Sequence, residues 1–250
     1  MQEIIRFSLD MGKKTDGAFD ITVYPLLKEW GFTTGDYKIP DNARISELLE
    51  KVGYDFVSVN ENSITLPENV QIDFGGVAKG YTADKIAEIF YENGVESALI
   101  NLGGNVCAVG EKSDGEMWNV AVANPFSPDE FLGILEVSDK SVVTSGNYQR
   151  YFTGEDGENY CHIIDTSNGY PAENGLVSVT VIADSGAVCD ALSTAFFIMG
   201  REKTEEYLKS QSDISVILVE ENGNIVISED ISAQFENLSK YSLEVWDDEN

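Results

Sequence analysis

Residues 187–199 read Ala-Val-Cys-Asp-Ala-Leu-Ser-Thr-Ala-Phe-Phe-Ile-Met and carry one charge, Asp190. The run is too long for an ordinary strand and well short of the ~18 apolar residues of a membrane span. It predicts a buried helix, ended by Gly200. Short β-rich runs surround it, at 97–102, 105–109, 118–123, 133–137, 141–144 and 177–183. These outnumber the helices and do not alternate with them. The expected class is therefore α+β, not a doubly wound parallel sheet.

The other elements follow from periodicity and turn chemistry. A helix is expected over 3–14, with Ile4, Ile5, Leu9 and Met11 in a stripe, stopping at Thr15-Asp16-Gly17. A second is expected over 42–51, with Ile45, Leu48 and Leu49 on one face. A third is expected over 82–92, with Thr82 as N-cap, Ile86, Ile89 and Phe90 inward, and Asn93-Gly94 closing it. A short polar helix is expected over 202–210. Two hairpins are predicted: 56–59 with 63–66 around Asn60-Glu61-Asn62, and 215–220 with 224–228 around Asn222-Gly223. No repeat, low-complexity tract or Pro/Ser-rich linker interrupts the chain. One domain over 1–250 is the expectation, with 246–250 as a solvated end.

Lys and Arg number 16 against 44 Asp and Glu, a net charge of −28. At 42% hydrophobic residues the chain is no disordered acidic tail. The charge argues against nucleic acid and anionic lipid as partners, since both are repelled. A polyphosphate ligand would need local help from a metal ion, backbone N–H groups or placed lysines. Cys107, Cys161 and Cys189 are far apart and odd in number, so they read as half-buried small hydrophobes. No leader pattern opens the chain at Met1, so the sequence does not settle localisation.

Four stretches could carry chemistry. Asp73-Phe-Gly-Gly-Val-Ala-Lys-Gly-Tyr-Thr82 offers paired glycines before a helix N-terminus, with Lys79 as a point charge, and a second Gly pair follows in Asn101-Leu-Gly-Gly-Asn105. Together they read as a lined cleft; alone, the first is a tight turn into a helix. His162 is the only histidine, so a general base near neutral pH is His162 or a perturbed carboxylate. The same residue also reads as a structural histidine. A zinc site built from several histidines is excluded. Asp190 and Thr194 share one helix face, an oxygen pair suited to Mg²⁺, or else Asp190 caps a neighbouring loop. Thr15-Asp-Gly-Ala-Phe-Asp20, followed by Pro25 and Trp30-Gly-Phe32, reads as a clamp for a flat ring or as a capping turn with core aromatics.

Taken together, six blocks resemble the FAD:protein FMN transferase (ApbE-like) family, in the family's order. They are Thr15-Asp-Gly-Ala-Phe-Asp-Ile-Thr-Val with Pro25-Leu and Trp30-Gly-Phe; Ile72-Asp-Phe-Gly-Gly-Val-Ala-Lys-Gly-Tyr; Asn101-Leu-Gly-Gly-Asn; Thr144-Ser-Gly-Asn-Tyr; His162-Ile-Ile-Asp; and Asp190-Ala-Leu-Ser-Thr-Ala. The resemblance implies an α+β fold of mixed and antiparallel sheets with helices packed around a central cleft. It implies Mg²⁺-dependent transfer of FMN from FAD to a threonine hydroxyl of a target protein, releasing AMP.

Residue by residue, it implies that Asp190, Thr194 and the Ala78 carbonyl hold the metal. Ala18, Phe19, Asp20, Gly75, Tyr81 and Ile163 would line the flavin nucleotide, and His162 would take the acceptor proton. The implied partners are FAD and a flavin-accepting protein, and the implied setting is outside the cytoplasmic membrane. Two departures are visible. The family's early Met-Gly-Thr strand and its Ser-x-Tyr stretch have no counterpart, so the sequence is short at its N-terminus relative to the family and reads either as a fragment or as a chain that has lost part of the flavin pocket. After the histidine motif, Thr166-Ser-Asn-Gly stands where the family has Pro-x-Thr-Gly. FAD hydrolysis to FMN and AMP, or FAD binding without catalysis, are the alternatives these departures leave.

Overall fold

The strand Leu176–Ala183 is buried at all eight positions. Both of its faces are covered, which explains why Val, Ile and Thr run through it without alternation. It pairs antiparallel with Ser141–Gly146, Thr180 opposite Thr144, and with Ser215–Glu220, Thr180 opposite Ile217. These lie at the centre of a seven-stranded sheet. In spatial order it runs Leu243–Trp246, Ile225–Ser228, Ser215–Glu220, Leu176–Ala183, Ser141–Gly146, Asn105–Val109, Ala98–Leu102. Every pairing is antiparallel except that of Ile225–Ser228 with Leu243–Trp246. The computed structural model describes residues 1–246. Of the end expected to be solvated, Trp246 belongs to a strand and 247–250 lie outside the described residues.

This sheet belongs to one of two compact units, formed by Val77–Gly146 with Gly175–Asn250. One sheet face packs on a three-stranded sheet, Trp118–Ala123, Phe131–Val137 and Phe235–Asn237. Ile182, Ile217, Val219, Ile225 and Ile227 meet Leu132, Leu135 and Phe235 there. Alternation then turns Val143, Ser145, Val179 and Val181 toward the opposite face, where the helices Gly186–Leu208 and Ala78–Glu92 pack. The apolar helix is buried as expected, and Gly200, at φ 78, interrupts it. The segment expected as a separate polar helix follows across that kink and runs to Leu208.

The second unit comprises Met1–Gly76 and Asn147–Asn174. It holds the helices Gln2–Lys14, Tyr24–Glu29 and Asn42–Leu49 and three two-stranded ribbons. The expected 58–65 hairpin is one of them, shortened to Ser58–Val59 and Ile64–Thr65. The strand expected from residue 56 is replaced at its start by a 3₁₀ turn over Tyr54–Phe56. Leu26, Trp30, Phe32, Ile45, Leu48 and Ile164 form the core. Aromatic rings extend it: Trp30 lies 5.3 Å from Tyr160, which stacks on Phe152, which stacks on Tyr37. Among the described residues no helix is long and apolar enough to cross a membrane, and the three cysteines are free and buried.

Candidate functional site

The residues singled out fall in both units. In the Met1–Gly76 unit, the first helix ends at Thr15, whose hydroxyl donates to the Met11 carbonyl at 2.8 Å and accepts from the Phe19 N–H. Asp16 (φ 50) and Gly17 (φ 81) turn the chain. Asp20 is 8% exposed, and its oxygens serve its own chain. Oδ1 accepts from the Thr22 N–H and hydroxyl, both at 2.7 Å, and Oδ2 from the Tyr54 N–H at 2.8 Å. Burial pushes the Asp20 carboxyl up against these three bonds, which pull it down. Phe19 is 4% exposed with its ring inside, so Ala18 is the partly accessible residue of the three. The Thr166 hydroxyl donates to the Gly17 carbonyl at 2.8 Å, tying this turn to the one that follows the histidine.

His162 is partly exposed. Its backbone N–H and its Nδ1 both meet the Arg150 carbonyl, at 3.1 and 3.2 Å. A carbonyl only accepts, so Nδ1 is assigned the proton and Nε2 the basic lone pair. The imidazole stands edge-on to Phe32, 6.3 Å between centroids. Ile163 is buried, and its carbonyl accepts from the Ala172 N–H at 2.8 Å. Asp165 does not hold the imidazole. Its carboxylate accepts from Ser167 N–H and Asn168 Nδ2 and shapes the Thr166–Gly169 turn. Gly75 is exposed and donates its N–H to Asp73 Oδ1 at 2.6 Å. Neither Gly75 nor Gly76 sits at positive φ, whereas Gly103 (φ 60) and Gly104 (φ 97) do. Only the second Gly pair is needed for backbone conformation.

In the other unit, the helix expected from Thr82 begins four residues earlier, at Ala78. Thr82 is no cap; its hydroxyl donates to the Ala78 carbonyl one turn back, at 2.7 Å. The cap comes from Asp190, whose Oδ2 accepts the Gly80 N–H at 2.9 Å. The inward face is also corrected. Ile86 and Phe90 pack inward as expected, but Ile89 is 56% exposed, and Gly80, Ala83 and Ala87 are the buried residues, because the helix lies close enough to its neighbour to admit only small residues there. A Cβ on Gly80 would strike the Gly186 carbonyl oxygen. In return Asp84 caps the Gly186–Leu208 helix, accepting from Gly186 N–H at 2.5 Å, Ala187 N–H at 3.0 Å and the Ser185 hydroxyl at 2.7 Å. Tyr81 lies one turn into its helix, with Lys85 over its ring at 5.5 Å.

Asp190 is 4% exposed, and burial pushes its carboxyl above the ordinary range. Gly80, Asn105 and Lys79 oppose that shift, yet the buried Asn105 Nδ2 closes no hydrogen bond. Thr194 and Asp190 share a face as expected. The Thr194 hydroxyl lies 3.4 Å from the Asp190 carbonyl and 3.4 Å from Ser145 Oγ, which is 2.9 Å from Ser193 Oγ. Sequence reasoning missed Asp84, Ser145, Ser193 and Asn105 as members of this cluster. Ser145 stood inside a quoted block, but only the strand–helix packing gives it a role. Among the described residues no three His, Cys, Asp or Glu gather as a metal cluster. A cation here would have one carboxylate and hydroxyl or carbonyl oxygens. That donor set suits Mg²⁺, which keeps several waters, and a carboxylate only 4% exposed fits a cation.

The sequence profile of the ApbE family matches residues 1–218. A FAD:protein FMN transferase of Klebsiella pneumoniae (strain 342) is 37% identical over 217 residues, covering 85% of this chain and 66% of its own length. One from Escherichia coli (strain K12) is 32% identical over 233 residues, covering 90% and 66%. The chain thus spans about two thirds of these relatives. The ApbE protein of Thermotoga maritima superposes with TM-score 0.86 at 33% identity, covering 93% of this chain and 77% of that one. The apo flavinyl transferase ApbE of Pseudomonas stutzeri gives 0.77 at 32%, covering 87% and 68%.

Proposed function

This chain belongs to the ApbE family, and on that premise we propose that it transfers FMN from FAD to a threonine hydroxyl of an acceptor protein, with AMP as the other product. The observation that carries the reading is the imidazole of His162, the one histidine of the chain, whose Nδ1 meets the Arg150 carbonyl so that the basic lone pair is assigned to Nε2. Nε2 takes the proton of the acceptor hydroxyl. The hydroxyl oxygen forms its bond to the FMN-side phosphorus, and the bond from that phosphorus to the AMP oxygen breaks, AMP leaving with the electron pair. The Arg150 carbonyl holds the ring orientation and favours the imidazolium as it forms. By the family resemblance Ala18, Phe19, Asp20, Gly75 and Ile163 would contact the flavin nucleotide, Ala18 and Gly75 through accessible backbone. The same resemblance gives Tyr81 a contact to the nucleotide.

Asp190, Thr194 and the Ala78 carbonyl would hold Mg²⁺, which when bound supplies the positive charge that a pyrophosphate needs in a protein of net charge −28. Ser145 restricts the Thr194 hydroxyl through the contact at 3.4 Å. We also propose a setting outside the cytoplasmic membrane, as the sequence resemblance implies. The test is incubation with FAD, Mg²⁺ and a threonine-bearing acceptor. Labelled acceptor supports transfer, and free FMN without label supports the hydrolytic alternative. His162→Ala is expected to keep FAD binding, followed by flavin fluorescence, and to lose about 10²–10⁴-fold in transfer. Wild-type transfer in that variant would remove His162 as the base.

A further inference from the structure

A cavity of about 410 Å³ opens within the Met1–Gly76 unit, and none of the residues assigned above to flavin, metal or proton transfer lines it. Its wall carries Lys28, Lys38, Arg44 and Lys51, four of only 16 basic residues in the whole chain, against two carboxylates, Glu29 and Asp36. Cations gathered around a concavity reinforce one another's field inside it, here against the field of a strongly acidic protein. Pro25 and Leu48 supply an apolar patch, and Thr34, Asn69 and Gln71 supply neutral polar groups.

The charges are arranged, not merely crowded. Glu29 holds two of them apart, Oε1 on Lys38 at 2.6 Å and Oε2 on Arg44 Nε at 3.1 Å. The Lys38 bond, with Arg44 adding, keeps its carboxyl below the usual range. Arg44 Nη1 bonds Glu47 at 2.6 Å, which also takes Lys51 at 3.1 Å. These pairs spend Nε and Nη1 of Arg44 and leave its second Nη edge for a ligand. Among the described residues no carboxylate lies within ion-pair distance of Lys28. With Glu47 counted beside the two lining carboxylates, the four cations still leave the cavity net positive, which suits a phosphate group.

We propose that this cavity binds a small phosphorylated molecule, its phosphate held by Lys28 and the unspent edge of Arg44 and its carbon skeleton against Pro25 and Leu48. The site is separate from the flavin reading and does not depend on it. Arg supplies a planar fork for phosphate oxygens and Lys a point charge.

The test is calorimetric titration of the whole chain with glycerol phosphate, inorganic phosphate and, in a separate arm, citrate. Chelator is present, so that Mg²⁺-dependent binding elsewhere is silent. Saturable binding of glycerol phosphate is expected, with inorganic phosphate weaker. Affinity should fall about tenfold in Lys28→Ala and in Arg44→Gln and stay unchanged in Asp190→Ala. Among the described residues Lys28 makes no ion pair, so Lys28→Ala carries the test even if Arg44→Gln melts early. Absence of saturation, wild-type affinity in Lys28→Ala, or citrate binding as tightly as glycerol phosphate would each overturn the proposal.

Discussion

Asp84 and Asp190 each cap the helix to which the other belongs. Asp84 takes the amides of Gly186 and Ala187, and Asp190 takes the amide of Gly80. The exchange is possible because Gly80 and Gly186 let the two helix starts touch; a Cβ on Gly186 would lie 2.8 Å from the Gly80 carbonyl oxygen. Each carboxylate sits at the positive end of a helix dipole and satisfies an amide that the helix itself leaves unpaired.

Gly80→Ala is therefore expected to destabilise the protein. Alanine in a helix gains ~1 kcal/mol over glycine. Here the added carbon meets the Gly186 carbonyl and lies 2.8 Å from Asp190 Cβ, an overpacking cost of about 3 kcal/mol, and the clash wins. Denaturant unfolding would show it as a lower midpoint. A variant as stable as wild type would mean that the helices can part without loss.

Asp190→Asn separates stability from function. Because burial raises the folded carboxyl, the folded state binds its proton more tightly than the unfolded state does. The contribution of Asp190 to stability is thus fully present below the ordinary carboxylate range and is lost as pH rises through the raised value. Asparagine keeps an oxygen for the Gly80 amide without the buried charge. At neutral pH the variant should be as stable or more stable, by about 1 kcal/mol, and the gap should close in acid. Mg²⁺ should raise the melting temperature of the wild type and not of the variant. Equal Mg²⁺ shifts in both would remove Asp190 from the metal site.

Trp30 links the core to the turn after His162. It is fully buried and its Nε1 donates to the Gly169 carbonyl at 2.9 Å, while Gly169 sits at φ +82 with no room for a side chain beside Ile45. Trp30→Phe keeps most of the packing and orphans that carbonyl, at a cost of about 1–2 kcal/mol. Trp30→Ala should cost about 3–5 kcal/mol. Thermal melts order the three proteins, and a phenylalanine variant as weak as the alanine one would assign the whole effect to ring volume.

Two tyrosines should titrate late. Tyr91 donates to Asp139 and Tyr160 to Asp156, each at 2.6 Å, and these bonds push both phenols up to about 12. Since the folded values exceed the unfolded ones, whatever stability the bonds confer is present up to about pH 10 and fades as pH climbs toward about 12. Near-ultraviolet absorbance against pH would resolve the late fraction. Asp139→Asn should bring Tyr91 down, and an unchanged curve would refute its dependence on that carboxylate.

Local signals were legible where local chemistry decides. Asn93-Gly94 stops its helix with Gly94 at φ 74, and Asn222-Gly223 turns its hairpin with Gly223 at φ 88. The helix expected from residue 42 starts there, where Asp41 accepts the Arg44 amide. The start of the Ala78–Glu92 helix was not legible, because its cap lies 110 residues away in Asp190. The same distance hid the site's supports. Asp190 and Thr194 were visible as a helical pair, but Ser145 joins them only after strand and helix pack. The ribbons Tyr151–Thr153 with Asn159–Cys161 and Ile164–Asp165 with Tyr170–Pro171 are too short to leave a period of two. The chain also passes from one compact unit to the other and back, which no composition shift marks.

The family match ends at Leu218, midway along Ser215–Glu220. Yet Ile225, Val226 and Ile227 beyond it are at most 1% exposed. Anyone trimming the gene where the family profile stops would strip the sheet of its next two neighbours and leave a raw, greasy flank ready to aggregate. The end of a shared profile and the edge of a finished sheet are different lines in this molecule.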